Sequence, residues 1–76
     1  MSQIENENSR SRSLIVNGEK LSSRADTVAD LLEELGYGNK KVATALNGNF
    51  IATKSRAETR LLARDRIEIV APRQGG

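Results

Sequence analysis

Hydrophobic positions in this chain fall in short bursts separated by polar turn residues, and the spacing within each burst predicts an element. The first burst, Leu14-Ile15-Val16, is rich in β-branched residues and reads as a strand starting at Ser13. Asn17-Gly18 follows. Both positions tolerate φ > 0, which makes this pair the strongest two-residue hairpin signal. Glu19 to Ser22 then returns as a second strand, with Leu21 toward the core. Val28, Leu31, Leu32 and Leu35 recur at i, i+3, i+4 and i+7, a single apolar stripe on a helix over Thr27 to Leu35. Asp30, Glu33 and Glu34 face outward. Thr27 is placed to cap the start, with Asp30 three residues on in a variant of the capping box. Gly36 is placed to end the helix in the left-handed conformation. A helix of about nine residues is too short to stand alone, so its stripe must pack on a sheet.

Val42 to Leu46 is a third strand, Asn47-Gly48-Asn49 a turn, and Phe50-Ile51 a short fourth strand. Residues 52–62 read as a loop with one helical turn around Arg56 to Glu58. Arg66-Ile67-Glu68-Ile69-Val70 alternates polar and apolar and reads as the last strand, which Pro72 ends. The order β-β-α-β-β-β predicts an α+β fold, one mixed sheet of four to five strands with a helix across one face. The simplest packing sets the first and last long strands parallel and adjacent, joined by a crossover that contains the helix. The expected core is Leu14, Val16, Leu21, Val28, Leu31, Leu32, Leu35, Leu46, Phe50, Leu62, Ile67 and Ile69. For the third strand, Val42, Thr44 and Leu46 lie on one face and Ala43 and Ala45 on the other, and period alone does not choose between them. Residues 1–12, MSQIENENSRSR, lack periodicity and apolar surface and are expected to form a disordered arm. Residues 13–71 form the domain, and residues 72–76 a flexible Gly-Gly tail.

Composition narrows the chemistry. The chain has 76 residues, enough for one domain with a thin core. It has neither Cys nor His. That excludes disulfides, Cys–His metal sites, Cys nucleophiles, His bases and Ser–His–Asp triads. The longest strongly apolar runs cover three residues, such as Leu14-Ile15-Val16, against the roughly 20 that a membrane helix needs. Twelve Lys and Arg against ten Asp and Glu give a net charge of +2, a mild bias. Tyr37 and Phe50 are too few aromatics for a base-stacking platform. The segments GYG and GNK lack the spacings of phosphate-binding loops, so the chain is not expected to bind ATP itself. Without Cys or a signal peptide, it is expected in the cytoplasm. Glu33 and Glu34, and the run Arg56, Arg60, Arg64 and Arg66, read as solvated surface.

The hairpin, the TVADLLEELG helix, the ALNG turn, the run RAETRLLARDRIEIV and the terminal QGG together resemble the ThiS family of sulfur carrier proteins. The resemblance covers Leu14 to Gly76. It implies a ubiquitin-like β-grasp fold and a role in thiamin biosynthesis as a protein co-substrate rather than an enzyme. In such proteins an E1-like adenylyltransferase of the ThiF type activates the C-terminal carboxylate with ATP. The acyl-adenylate then becomes a thiocarboxylate, with sulfur from a donor protein, and a thiazole synthase of the ThiG type takes that sulfur. Carried to this chain, the reacting group is the Gly76 carboxylate, and Gly75 and Gly76 form the tail needed for activation. The resemblance implies no catalytic residue, metal or cofactor in the carrier, no nucleic-acid or membrane partner, and a monomer when free. Gly75 and Gly76 permit close backbone approach inside a partner's site, and Pro72 helps to release the tail from the last strand.

Three positions depart from the family pattern. Ala52 and Thr53 stand where Pro and Arg are usual, Arg56 where a Trp or Tyr often precedes AET, and Ala63-Arg64-Asp65 where Asp-Gly-Asp is common. Arg64 must therefore either adopt a left-handed conformation or change the turn. The alternatives are a small subunit of molybdopterin synthase, which shares fold and tail, and a TGS-like β-grasp module that binds RNA or protein.

Overall fold

The computed structural model describes residues 11–72. Strand β1 is Arg12–Val16, β2 Glu19–Ser23, β3 Ala43–Leu46, β4 Asn49–Ile51 and β5 Arg66–Val70. Helix α1 is Val28–Glu34, and a 3-10 helix covers Thr53–Glu58. The strands form one five-stranded sheet in the order β2-β1-β5-β3-β4. β1 and β2 are an antiparallel hairpin, with Leu14 opposite Leu21. β1 and β5 are parallel neighbours, the simplest packing expected from the sequence, with Val16 beside Ile67. β3 is antiparallel to both β4 and β5. This is the ubiquitin-like β-grasp fold. β1 starts one residue before Ser13: Arg12 pairs with Ser23, its guanidinium donates to the Ala25 carbonyl, and it lies 3.5 Å from Asp26. Otherwise the arm at 1–12 lies outside the described residues, apart from Ser11.

Local chemistry sets the helix ends. The Thr27 hydroxyl accepts the Asp30 N–H at 3.1 Å, satisfying one orphan donor of the first turn. At the other end Gly36 has φ +89°. Tyr37 N–H donates to Leu32 O at 2.8 Å and Gly36 N–H to Glu33 O at 3.1 Å, the bond pair of a Schellman ending. A partly buried polar link, from buried Ser23 to exposed Glu34, ties this end to the sheet. Ser23 Oγ donates to Glu34 Oε1 at 2.6 Å and accepts the Ala25 N–H at 3.0 Å.

Val28, Leu31 and Leu32 of α1 are buried against Leu14, Val16, Ile67 and Ile69 of the sheet, with Ala25 and Leu61 closing the layer. Leu21, Leu35 and Leu46 pack on this core half-buried, with Tyr37 and Val42. On β3 the inward face is that of Thr44, buried and opposite Ile69. Its hydroxyl is satisfied, donating to Ile51 O at 3.0 Å and accepting Arg56 Nε at 3.2 Å.

Two expected core residues lie outside it. Phe50 is 72% exposed, because the register that turns Thr44 and Ile51 inward places Phe50 opposite Ala45 on the other face. Leu62 is 69% exposed, and Leu61 takes its place at 3%. A bridge between Thr27 and Arg60, followed by Leu61 N–H to Asp26 O at 2.9 Å, aims Leu61 under the helix. Leu62 N–H is instead held by Asp65 Oδ2 at 2.8 Å in the next turn. The helical turn expected near Arg56 to Glu58 is longer, a 3-10 helix from Thr53. There Arg56 reaches back to the residue before β3, Nη2 donating to Val42 O at 2.5 Å. That guanidinium thus joins the 3-10 helix to the segment at Val42–Thr44.

Arg64 takes the left-handed conformation, with φ +72°. Its N–H donates to Ser13 O at 2.6 Å, and Asp65 braces the turn through Leu62 and Asn47. An L side chain here costs about 1–2 kcal/mol, while Gly loses about 0.5–1 kcal/mol more backbone entropy on folding. Arg64→Gly is therefore expected to stabilise by up to about 1 kcal/mol, raising the thermal midpoint by a few degrees. A clear fall in the midpoint would show that the arginine side chain contributes more than its backbone strain removes.

Candidate functional site

The tail grows out of the middle of the sheet. β5 is the third of five strands, with β1 on one side and β3 on the other. Its final residue, Val70, pairs with Ala43, the first residue of β3. Ala71 and Pro72 continue outside any strand, and Pro72 has no N–H to offer a ladder. A chain leaving a strand held on both sides starts from a defined point and direction. From Val70, the six residues to Gly76 can span at most about 20 Å. Gly75 and Gly76 themselves lie outside the described residues, as do Arg73 and Gln74.

Both Asn-Gly turns hold this strand through their asparagine side chains. Asn47 N–H donates to Arg66 O at 2.7 Å, and its Oδ1 accepts the Arg66 N–H at 2.9 Å. Asn17 N–H donates to Ile67 O at 2.9 Å; its Oδ1 accepts the Ile69 N–H at 2.8 Å, and its Nδ2 donates to Ile69 O at 3.2 Å. Both asparagines have φ near +50°. The turn signal accounts for their backbone, but their side-chain partners lie up to 52 residues away, and no local pattern encodes that.

Around the tail root the open face of the sheet carries apolar side chains interspersed with Arg66 and Glu68. Register places Phe50, Ala45 and Glu68 in one cross-strand row and Ala43 and Val70 in the next, all away from α1. Ile15 and Arg66 form another pair on this face. Val70 is 61% exposed. A shallow groove of about 260 Å³ lies at the root, lined by Lys41, Val42, Ala43, Val70 and Pro72. Among the described residues no group of three or more His, Cys, Asp or Glu could hold a metal ion, and no helix is long and apolar enough to cross a membrane. Of the departing positions, Arg56 and Arg64 are absorbed into the fold, and Ala52 precedes the 3-10 helix with extended backbone.

A five-stranded mixed sheet with one helix across it, and a central strand from which the chain leaves past Val70, defines the class of ubiquitin-like β-grasp proteins. Comparison with known proteins gives the particular family. The model of the ThiS family matches residues 8–76, and the chain belongs to that family. Its structure is similar to a thiamine biosynthesis protein (ThiS) from Geobacter metallireducens, with 26% identity and a TM-score of 0.70, over 84% of this chain and 99% of the other. No curated protein matches the chain. Family and structural match together support a sulfur carrier role in thiamin biosynthesis.

Proposed function

We propose that the Gly76 carboxylate is the sulfur-bearing group, and that Gly75 and Gly76 form the part of the chain that enters a partner's ATP site. A carboxylate is a poor acyl donor because its leaving group would be oxide. Attack of a carboxylate oxygen on the α-phosphorus of ATP expels pyrophosphate and gives an acyl-adenylate, whose leaving group is AMP. A sulfur nucleophile at the oxidation level of hydrosulfide then attacks the acyl carbon. AMP departs, and the thiocarboxylate remains. An E1-like adenylyltransferase of the ThiF type performs the activation, a sulfur donor protein supplies the nucleophile, and a thiazole synthase of the ThiG type receives the sulfur. The chain is a co-substrate and not an enzyme. It carries no cofactor of its own, works in the cytoplasm and is a monomer when free. The observation that carries this reading is the tail of a ThiS-family chain leaving the doubly held central strand.

The activating enzyme must grip the body while the tail is threaded. The open face around Val70, Ala43, Ala45 and Phe50 suits that grip, because it offers exposed apolar side chains next to the tail root, with Glu68 the acid among them. Lys41 and Arg66 beside it, against the single acid Glu68, suit polar and acidic groups at the rim of the enzyme's docking surface. Phe50→Ala is expected to change stability by less than about 0.5 kcal/mol while raising the KM of the carrier in the activation reaction. A large loss of stability would mean that Phe50 packs within the fold.

The central test is intact-mass analysis after incubation with the ThiF-type enzyme of the same organism, ATP and sulfide. Replacement of one oxygen by one sulfur in the wild-type chain is the expected result. A chain left unmodified while it binds RNA or protein through its arginines would favour the binding-module reading instead.

A further inference from the structure

We propose that Asn17 is a positioning residue for the tail, setting where the chain leaves the sheet and the direction in which it does so. The inference rests on the reading that the end of this tail is the group activated. β1 ends at Val16 because the chain turns back at Asn17-Gly18. A strand residue beyond Val16 would pair with Ile69 on that side, and the turn removes it. The Asn17 side-chain amide supplies the missing pair, accepting the Ile69 N–H at 2.8 Å and donating to Ile69 O at 3.2 Å. One primary amide thus mimics one strand residue and carries the β1 side of the ladder to Ile69. On the opposite side Val70 is paired with Ala43. The two holds end one residue apart, and Ala71 is the first residue beyond both.

Without the amide, the hold on the β1 side ends at Ile67, whose carbonyl accepts the Asn17 backbone N–H at 2.9 Å. Ile69 and Val70 then depend on β3 alone. A looser root spreads the tail end over a larger volume and a wider range of directions, so the carboxylate occupies the attack geometry less of the time. Body docking is untouched, because Asn17 lies at the hairpin turn and not in the cross-strand rows of the open face. The expected signature is therefore a loss in kcat with little change in KM.

Asn47 provides the control. It sits in the same kind of turn with the same left-handed backbone, and its side chain holds the same strand, but at Arg66, the end away from the tail. Asn17→Gly and Asn47→Gly each keep the turn and delete the side-chain bonds. With the ThiF-type enzyme, ATP and sulfide, Asn17→Gly should lower kcat about three- to tenfold at nearly constant KM, and Asn47→Gly should leave both constants near wild type. Asn17→Asp keeps the acceptor for Ile69 N–H but sets an oxygen against Ile69 O, and should fall between wild type and Asn17→Gly. It also serves if the glycine variant folds poorly. Backbone 15N relaxation on the free proteins gives a readout independent of the enzyme: order parameters at Ile69, Val70 and Ala71 should drop in Asn17→Gly and not in Asn47→Gly. Unchanged order at those amides overturns the inference, as does equal loss of kcat in both glycine variants. Wild-type protein that is never activated overturns the carrier reading instead, while the relaxation comparison still decides whether Asn17 orders the root.

Discussion

A chain ending at Gln74 is expected to unfold at the same temperature as the full chain and yet take no sulfur at all. The stability half follows from where the tail begins. Among the described residues the buried ones lie between Leu14 and Ile69, and Val70, Ala71 and Pro72 are already exposed. The activity half follows from reach. Because β5 is held on both sides, the body cannot advance to compensate for a shorter tail without breaking its ladder. Two extended residues span about 7 Å, and a carboxylate drawn back that far cannot stay within the roughly 3–3.5 Å needed for attack on phosphorus. Addition of one Ala after Gly76 should block transfer as well, by filling the space meant for AMP. Intact mass reads both variants against wild type in one experiment. Sulfur incorporation by the chain ending at Gln74 would place the reacting group somewhere other than the Gly76 carboxylate.

Leu31→Ala should be the most damaging single change in the body. Leu31 has no exposed surface and sits at the centre of the one stripe that joins α1 to the sheet. Truncation there removes transfer energy and leaves a cavity, about 2–5 kcal/mol in all. Small domains have total stabilities near the lower end of about 5–15 kcal/mol, so a substantial unfolded population is expected at room temperature. Glu33→Ala, exposed on the same helix, should cost less than about 0.5 kcal/mol. Urea unfolding checks the pair, through a shifted midpoint with an unchanged slope for Leu31→Ala. Equal losses would mean that the helix is rotated from the phase described.

The helix, the hairpin and the last strand were legible because each is written in neighbouring residues. A stripe at i, i+3, i+4 and i+7 has one helical solution, and Asn-Gly between apolar runs has one common turn. The family was legible for a different reason, the match of the chain's fragments to it in order and spacing. Phe50 and Leu62 were misplaced because a three-residue edge strand and a pair of adjacent leucines carry too little period to name a face. Their orientation depends on what lies opposite: Ala45 for Phe50, and the bridge from Thr27 to Arg60 for the Leu61-Leu62 pair.

By itself, the sequence determined the elements, their order, the caps of α1, the parallel placing of β1 and β5 and the family to which the chain belongs. Those rest on dihedral preferences, short-range hydrogen bonds and hydrophobic period, all of which act within a few residues. Only the tertiary structure decided that β3 turns Thr44 inward, that Arg64 holds a left-handed turn, and that Phe50 joins the open face of the sheet. The same holds for Asn17 and Asn47, whose turn chemistry leaves a side-chain amide free while its partner is supplied by β5. Register and long-range pairing are properties of two segments together, and neither segment carries them alone.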